Sequence, residues 1–254
     1  MNYGPLSKKQ EHLNPDDPSD IGDAWIWRAI ALPSHLRVIT HLSHGRSEEE
    51  AITFLAAFKA RTNGRPPLFT SDKLPAYGKA LISNYSPPEP PPIKRKPGRP
   101  RKEPRRILDP ELCYAQIDKR REQGQVVEVH RRIIFGAPEV ITQILGNQQI
   151  NTSYVERDNL TSRQSNGRLV RKTLSHSKKD YYLQCHLDLE DAVFNFVRPH
   201  LSSRVALPQP VTGRKWQQQT PAMAAGLTDH VHEFYQFRGP YVDVLRRLKP
   251  NMLC

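Results

Sequence analysis

Sulfur is scarce in this chain: three cysteines, Cys113, Cys185 and Cys254, stand far apart, form no CxxC pair and leave an odd thiol. A disulfide framework and a cysteine zinc site are both excluded on that spacing. Long apolar runs are missing too. Nothing approaches the roughly 18 consecutive apolar residues that span a bilayer, and the opening MNYGPLSKKQEHLNPDDPSD lacks the core of a signal peptide. The expectation is a cytoplasmic protein with no membrane partner. The histidines show no HExxH spacing, and there is no nucleophile elbow, P-loop or internal repeat.

Acids are outnumbered. The 254 residues hold 38 Lys and Arg against 26 Asp and Glu, a formal charge of +12. A surplus of that size favours a polyanionic partner, nucleic acid first. An RNA-binding module would need stacking aromatics, a GxxG loop or a double-stranded RNA-binding pattern, and none is present. With 37% apolar residues the chain can still build a core for one large domain or two small ones.

The segment Ala24 to Thr40, AWIWRAIALPSHLRVIT, reads as strand, turn and strand. Trp25 and Trp27 fall on one sheet face, either as core or, less readily, as base-stacking platforms. Ser47 followed by Glu50 has the spacing of a capping box, and Ile52, Leu55 and Phe58 share a helical face up to about Arg61. A short strand over Leu68 to Ser71 then ends at Asp72, ahead of a helix over Leu74 to Ser83.

Composition changes at Ser86 to Pro104, SPPEPPPIKRKPGRPRKEP, where eight prolines and few apolar residues mark a linker or insertion. Lys94, Arg95, Lys96, Arg99, Arg101 and Lys102 make its centre an AT-hook-like run, although Pro97 stands where a full hook has Arg. One reading is a strand for the narrow, electronegative minor groove of A·T-rich DNA. The other is a solvated, phosphate-attracted linker. Beyond it the pattern predicts a helix over Asp109 to Arg121, an extended VVEVHRRIIF, a short helix over Pro138 to Leu145, and helices over Thr152 to Leu169 and Ser177 to Val197. Ser202 to Thr220 reads as a loop, followed by a turn and short helix in TPAMAAGL.

The most informative segment is Asn151 to Ser165, NTSYVERDNLTSRQS, which sets Glu156 among Arg157, Arg163, Arg168, Arg171 and Lys172. A carboxylate in a basic surface suits a divalent cation that bridges protein and phosphate backbone. Taken singly, Asp72 reads as a helix cap and Glu156 as a surface ion pair. The arginines and Lys172 either contact phosphates or are solvated helix charges.

Five words occur together and in order: GDAWIWRAI at Gly22 to Ile30, FTSDKLPAY at Phe69 to Tyr77, NTSYVERDNLTSR at Asn151 to Arg163, TLSHSKK at Thr173 to Lys179 and TPAMAAGLTDH at Thr220 to His230. The chain thereby resembles DDE-type insertion-sequence transposases, nearest the insertion sequence one family. The resemblance implies a ribonuclease H-like α/β fold, a mixed sheet flanked by helices with three acids converging on two Mg²⁺ or Mn²⁺ ions. Asp72 matches the second acid and Glu156 the third, as catalytic and metal-holding residues for cleaving and joining DNA at the element's ends. Its partners would be element-end and target DNA and other transposase subunits, its own copies included, at the bacterial nucleoid.

Four departures qualify that expectation. The stretch matching the family's first strand is Met1 to Gln10, which begins just past the position of the first acid, and Gly4 and Pro5 disfavour a strand there. Ala31 stands where relatives commonly carry Asp, with Asp20 and Asp23 the nearest substitutes. Lys73 replaces a usual Gly, and the text after His230 leaves the pattern. The expected outline is residues 1–85 as the first part of the core, with its first strand degraded, 86–108 as insertion, 109–200 as the second part and 201–254 as tail. A transposase-family protein with impaired cleavage is expected, or a noncatalytic DNA-binding regulator of transposition.

Overall fold

The computed structural model describes residues 2–6, 22–90, 105–170, 174–211 and 213–234. The chain is mixed α/β and divides into two compact units, one of residues 1–46, 60–63 and 153–254, the other of 47–59 and 64–152. Among the described residues no helix is long and apolar enough to cross a membrane.

The first unit opens with a three-stranded antiparallel sheet, β1 (Asn2–Leu6), β2 (Gly22–Ala31) and β3 (Leu36–Ser43), in that spatial order. The hairpin foreseen from Ala24 to Thr40 is therefore present. The first strand, expected to be degraded, does form. Proline is tolerated because β1 is an edge strand, where a missing ladder donor costs least, and the register slips between Asn2 and Pro5.

A bulge between β2 and β3 shapes the rest of the unit. Arg28 lies opposite Thr40, so an unbroken ladder would set Ile30 against Val38; instead Ile30 faces Arg37. The extra residue turns Arg37 onto the sheet face that Arg28 occupies, as bulges commonly re-aim a side chain.

Two helices cover that face. They are α4 (Ser153–Ser165), continued by a 3₁₀ turn at Gly167–Leu169, and α5 (Asp180–Ala192), continued by a π-helical turn at Val193–Val197. Ala24 and Ile26 pack on Leu169, Leu183 and Leu187, and Leu36 packs on Phe196 and Ala222. Trp27 is buried, its Nε1 donating to Ser43 Oγ over 2.8 Å, which suits the core reading; Arg46 lies 4.7 Å over the Trp25 ring.

Ser202 to Thr220 is not a loop. It contains most of a hairpin, β7 (His200–Val211) with β8 (Arg214–Gln219), ahead of α6 (Pro221–Ala224). Most described side chains of both strands are exposed, so no apolar alternation betrays them.

The second unit is built on apolar packing. Ser47 Oγ accepts the Glu50 N–H at 3.3 Å and opens α1 (Glu48–Arg61), which buries Ala51, Phe54, Leu55 and Phe58. Phe58 meets Phe69 on β4 (Phe69–Asp72), which in turn meets Tyr85 on α2 (Ala76–Tyr85). β4 pairs in parallel with β5 (Tyr114–Glu122), and β5 pairs antiparallel with β6 (Gln125–Phe135), ahead of α3 (Pro138–Leu145).

The helix expected over Asp109 to Arg121 is thus a strand over most of its length. Its helix-forming side chains are overridden by pairing on both sides and by a two-residue turn, Gln123 and Gly124, whose φ values of 48° and 82° suit a tight hairpin. Gly136 shows a close approach of the same kind: with φ at 93°, an added Cβ would lie 2.7 Å from Cys113 Sγ.

Candidate nucleic-acid interface and its carboxylates

In α4 an acidic residue on the first turn and basic ones beyond follow the family-like word, but the helix has almost no apolar face. Its buried residues are Asp158 and Ser162, which share one side of the helix at i and i+4. Glu156 and Arg157 are exposed on another side, and Arg163 is half-buried in the last turn.

Charge holds that polar side. Arg37 Nε donates to Asp158 Oδ1 at 2.8 Å, and its Nη1 to Glu190 Oε1 at 2.8 Å and Asp191 Oδ1 at 3.3 Å. Arg28 Nη1 donates to Asp158 Oδ2 at 2.8 Å and also to Ser162 Oγ. Ser162 accepts again from Arg37 and donates to Glu190. The two arginine side chains are 2% and 0% exposed, so the pairs sit where water does not screen them.

Arg37 is fastened from every direction. Its N–H and C=O pair with the Asn195 carboxamide, both at 2.9 Å, and the guanidinium lies 3.9 Å over the Phe194 ring. Two guanidiniums face three carboxylates, which leaves an excess of negative charge. Burial opposes the charge on Arg28, but Asp191, Asp158 and Glu190 outweigh it and raise its pKa. Asp191 moves upward as well, because burial exceeds the help from Arg28, Arg37 and the Thr40 hydroxyl.

Asp72 belongs to the other unit. It is exposed at the carboxyl end of β4, where its Oδ1 accepts the Leu74 N–H at 3.3 Å, a turn-forming contact. Its neighbour Lys73 donates to Asp118 Oδ2 at 2.6 Å, and that hydrogen bond lowers the Asp118 pKa. Lys73 is therefore spoken for by a carboxylate across the parallel pair.

Glu156 and Asp72, the two acids foreseen as a metal pair, thus fall in different units. Among the described residues no group of three His, Cys, Asp or Glu is placed to hold a metal ion. Asp23 lies on β2 opposite Pro5 of β1. Asp20 is outside the described residues.

Of the foreseen DNA contacts, Lys94, Arg95, Lys96, Arg99, Arg101, Lys102, Arg171 and Lys172 lie outside the described residues. The flanks of the proline-rich segment are described, and they run antiparallel: Glu89 N–H donates to Arg105 C=O, Ile107 N–H to Pro87 C=O, and Arg106 Nη1 to Ser86 C=O at 2.8 Å. The two flanks are therefore held side by side. Arg168, in the 3₁₀ turn, donates from Nε to His186 Nδ1 at 3.2 Å and from Nη1 to Ser177 Oγ at 2.9 Å.

Sequence reasoning missed Arg28, Arg37, Asp158, Ser162, Glu190 and Asp191. The signal was faint but present, since an Arg inside each of two apolar strands, AWIWRAIA and LRVIT, is costly to bury without partners. Comparison with protein-family models, curated proteins and solved structures found no match.

Proposed function

We propose that this chain is a DDE-transposase-family protein that grips DNA at the ends of its element, with strand cleavage and joining impaired. The observation that supports the reading best is α4. A helix with almost no apolar surface is anchored by a buried ionic network and so presents Glu156 and Arg157 to solvent in a fixed orientation. Anchoring of that kind suits a helix whose outer face does chemistry or binds an anion. The α/β content supports the reading at the level of class: β1–β3 form one antiparallel sheet and β4–β6 a separate sheet in which β4 and β5 run parallel, in place of the single central mixed sheet the resemblance implies.

By the resemblance, Asp72 and Glu156 are the acids that would hold Mg²⁺ or Mn²⁺ for any cleavage the protein retains, the metal supplying charge stabilisation to the attacking and leaving oxygens. A second reading, a noncatalytic DNA-binding protein that damps transposition by occupying element ends or joining intact subunits, is favoured by one contact. Asp72 already commits an oxygen to the Leu74 amide.

The deciding experiment is nicking and strand transfer on supercoiled DNA carrying the element's ends, with Mg²⁺ or Mn²⁺, for the full chain and Glu156→Gln. Weak activity lost in the variant is the result expected of an impaired transposase. Salt-sensitive binding without any nicking would select the noncatalytic reading, and no DNA binding at all would sink both.

A further inference from the structure

A cavity of about 450 Å³ opens beside the 3₁₀ turn, lined by Gly167, Arg168, Ser175, His176 and His186. Among the described residues its lining has no carboxylate. Every polar side chain in it can donate a hydrogen bond, an unusual bias that suits an acceptor-only ligand.

Arg168 is held in place from two sides. Its Nε and Nη1 bond His186 and Ser177, while its backbone N–H donates to Asn166 Oδ1 at 3.1 Å. Asn166 is itself fully buried and donates from Nδ2 to Glu190 Oε2 at 3.1 Å, so the wall of the cavity is tied to the buried ionic network. A guanidinium fixed in advance loses little entropy when it binds.

The Arg168 contact also sets the tautomer of His186. Nδ1 accepts from a guanidinium that has no acceptor to offer, so the ring proton of the neutral imidazole sits on Nε2. Burial first, then the charge of Arg168, lowers the His186 pKa. The ring is therefore a fixed neutral donor beside a fixed cation, a pairing that recognises one phosphate group by charge and by geometry together.

From this lining we infer that the cavity takes a single backbone phosphodiester of bound DNA, with Arg168 as the principal charge and His186, His176 and Ser175 as the surrounding donors. The inference rests on the DNA-binding reading above and adds to it a phosphate position. Contacts of this type fix the register of a protein on the duplex and carry no base preference.

The test uses the full chain and a mixed-sequence 30-base-pair duplex, with affinity measured across a salt series. Losing one phosphate contact lowers the slope of log K against log salt by about 0.9. Arg168→Gln is expected to weaken binding roughly five- to tenfold and to reduce the slope by about one. His176→Glu, at an exposed position, sets a carboxylate in the lining without touching the Arg168 and His186 pair, and is expected to weaken binding at least as much.

Wild-type binding with an unchanged slope and affinity in both variants would overturn the phosphate position and leave the DNA reading standing. Absence of DNA binding in the wild type would overturn both. Inorganic phosphate is the second probe: it is expected to shift the His186 ring resonances in the wild type and not in Arg168→Gln. A phosphate shift without DNA binding would mean that DNA is not the source of the anion, and would overturn the proposal as stated.

Discussion

α1 and α4 are of similar length and carry similar numbers of charges, yet they are held by opposite means. α1 buries Ala51, Phe54, Leu55 and Phe58, whereas α4 buries Asp158 and Ser162. Apolar burial is non-directional, so it fixes a helix against its neighbours while tolerating changes of shape. Ion pairs inside a core are directional: they contribute only when both partners and their remaining hydrogen bonds are in place. The second unit is thus organised by packing and the first, around α4, by a charge network that specifies one arrangement.

Substitution at the centre of each region sharpens that contrast, and the largest effect is expected at Arg37. Arg37→Leu leaves Asp158, Glu190 and Asp191 facing Arg28 alone, and should cost about 3–5 kcal/mol, the usual range for one half of a buried pair. Even Arg37→Lys, which keeps the charge and loses the fork, is expected to cost about 2–3 kcal/mol. In α1 a volume-conserving Leu55→Met should cost under about 1.5 kcal/mol. Urea melts of the three variants check the order, and a Lys variant as stable as the Met variant would break the contrast.

A smaller effect follows from the unequal count of charges. Asp191 holds its proton more tightly in the folded state than in the unfolded chain, because burial raises its pKa beyond what Arg28, Arg37 and Thr40 restore. A raised folded value means that the folded state binds more protons, so its contribution is full below the ordinary carboxylate pH and is lost as pH rises through the raised value. The stability difference between wild type and Asp191→Asn is therefore expected to fall as pH rises from about 4 upward. Melting curves at several pH values read this directly. A difference that grows with pH would show that the arginines outweigh burial.

Much of the packing-based region was legible in the sequence, because its signals are local. Ser47 and the spacing of Leu55 and Phe58 announced α1, and the short run before Asp72 announced β4. β5 was misread because its helix-forming residues are overruled by neighbours on both edges, which no local pattern contains. β7 and β8 escaped because their side chains are mostly exposed. The charge network was least legible of all: Arg28 and Arg37 meet acids more than a hundred residues away, so neither spacing nor periodicity links them.

The smallest effect on stability is expected at Glu156. Glu156 and Asp158 are two positions apart on one helix and point to different sides of it. Asp158→Asn takes an ionised partner from both buried arginines and should cost about 3 kcal/mol or more. Glu156→Gln changes an exposed side chain, and surface changes stay within about 0.5 kcal/mol. If Glu156 serves DNA cleavage, the two carboxylates separate cleanly: the first variant melts early, while the second melts like the wild type and loses metal-dependent nicking. A destabilised Glu156→Gln would instead assign Glu156 to the scaffold, and would remove the acid on which the cleavage reading depends.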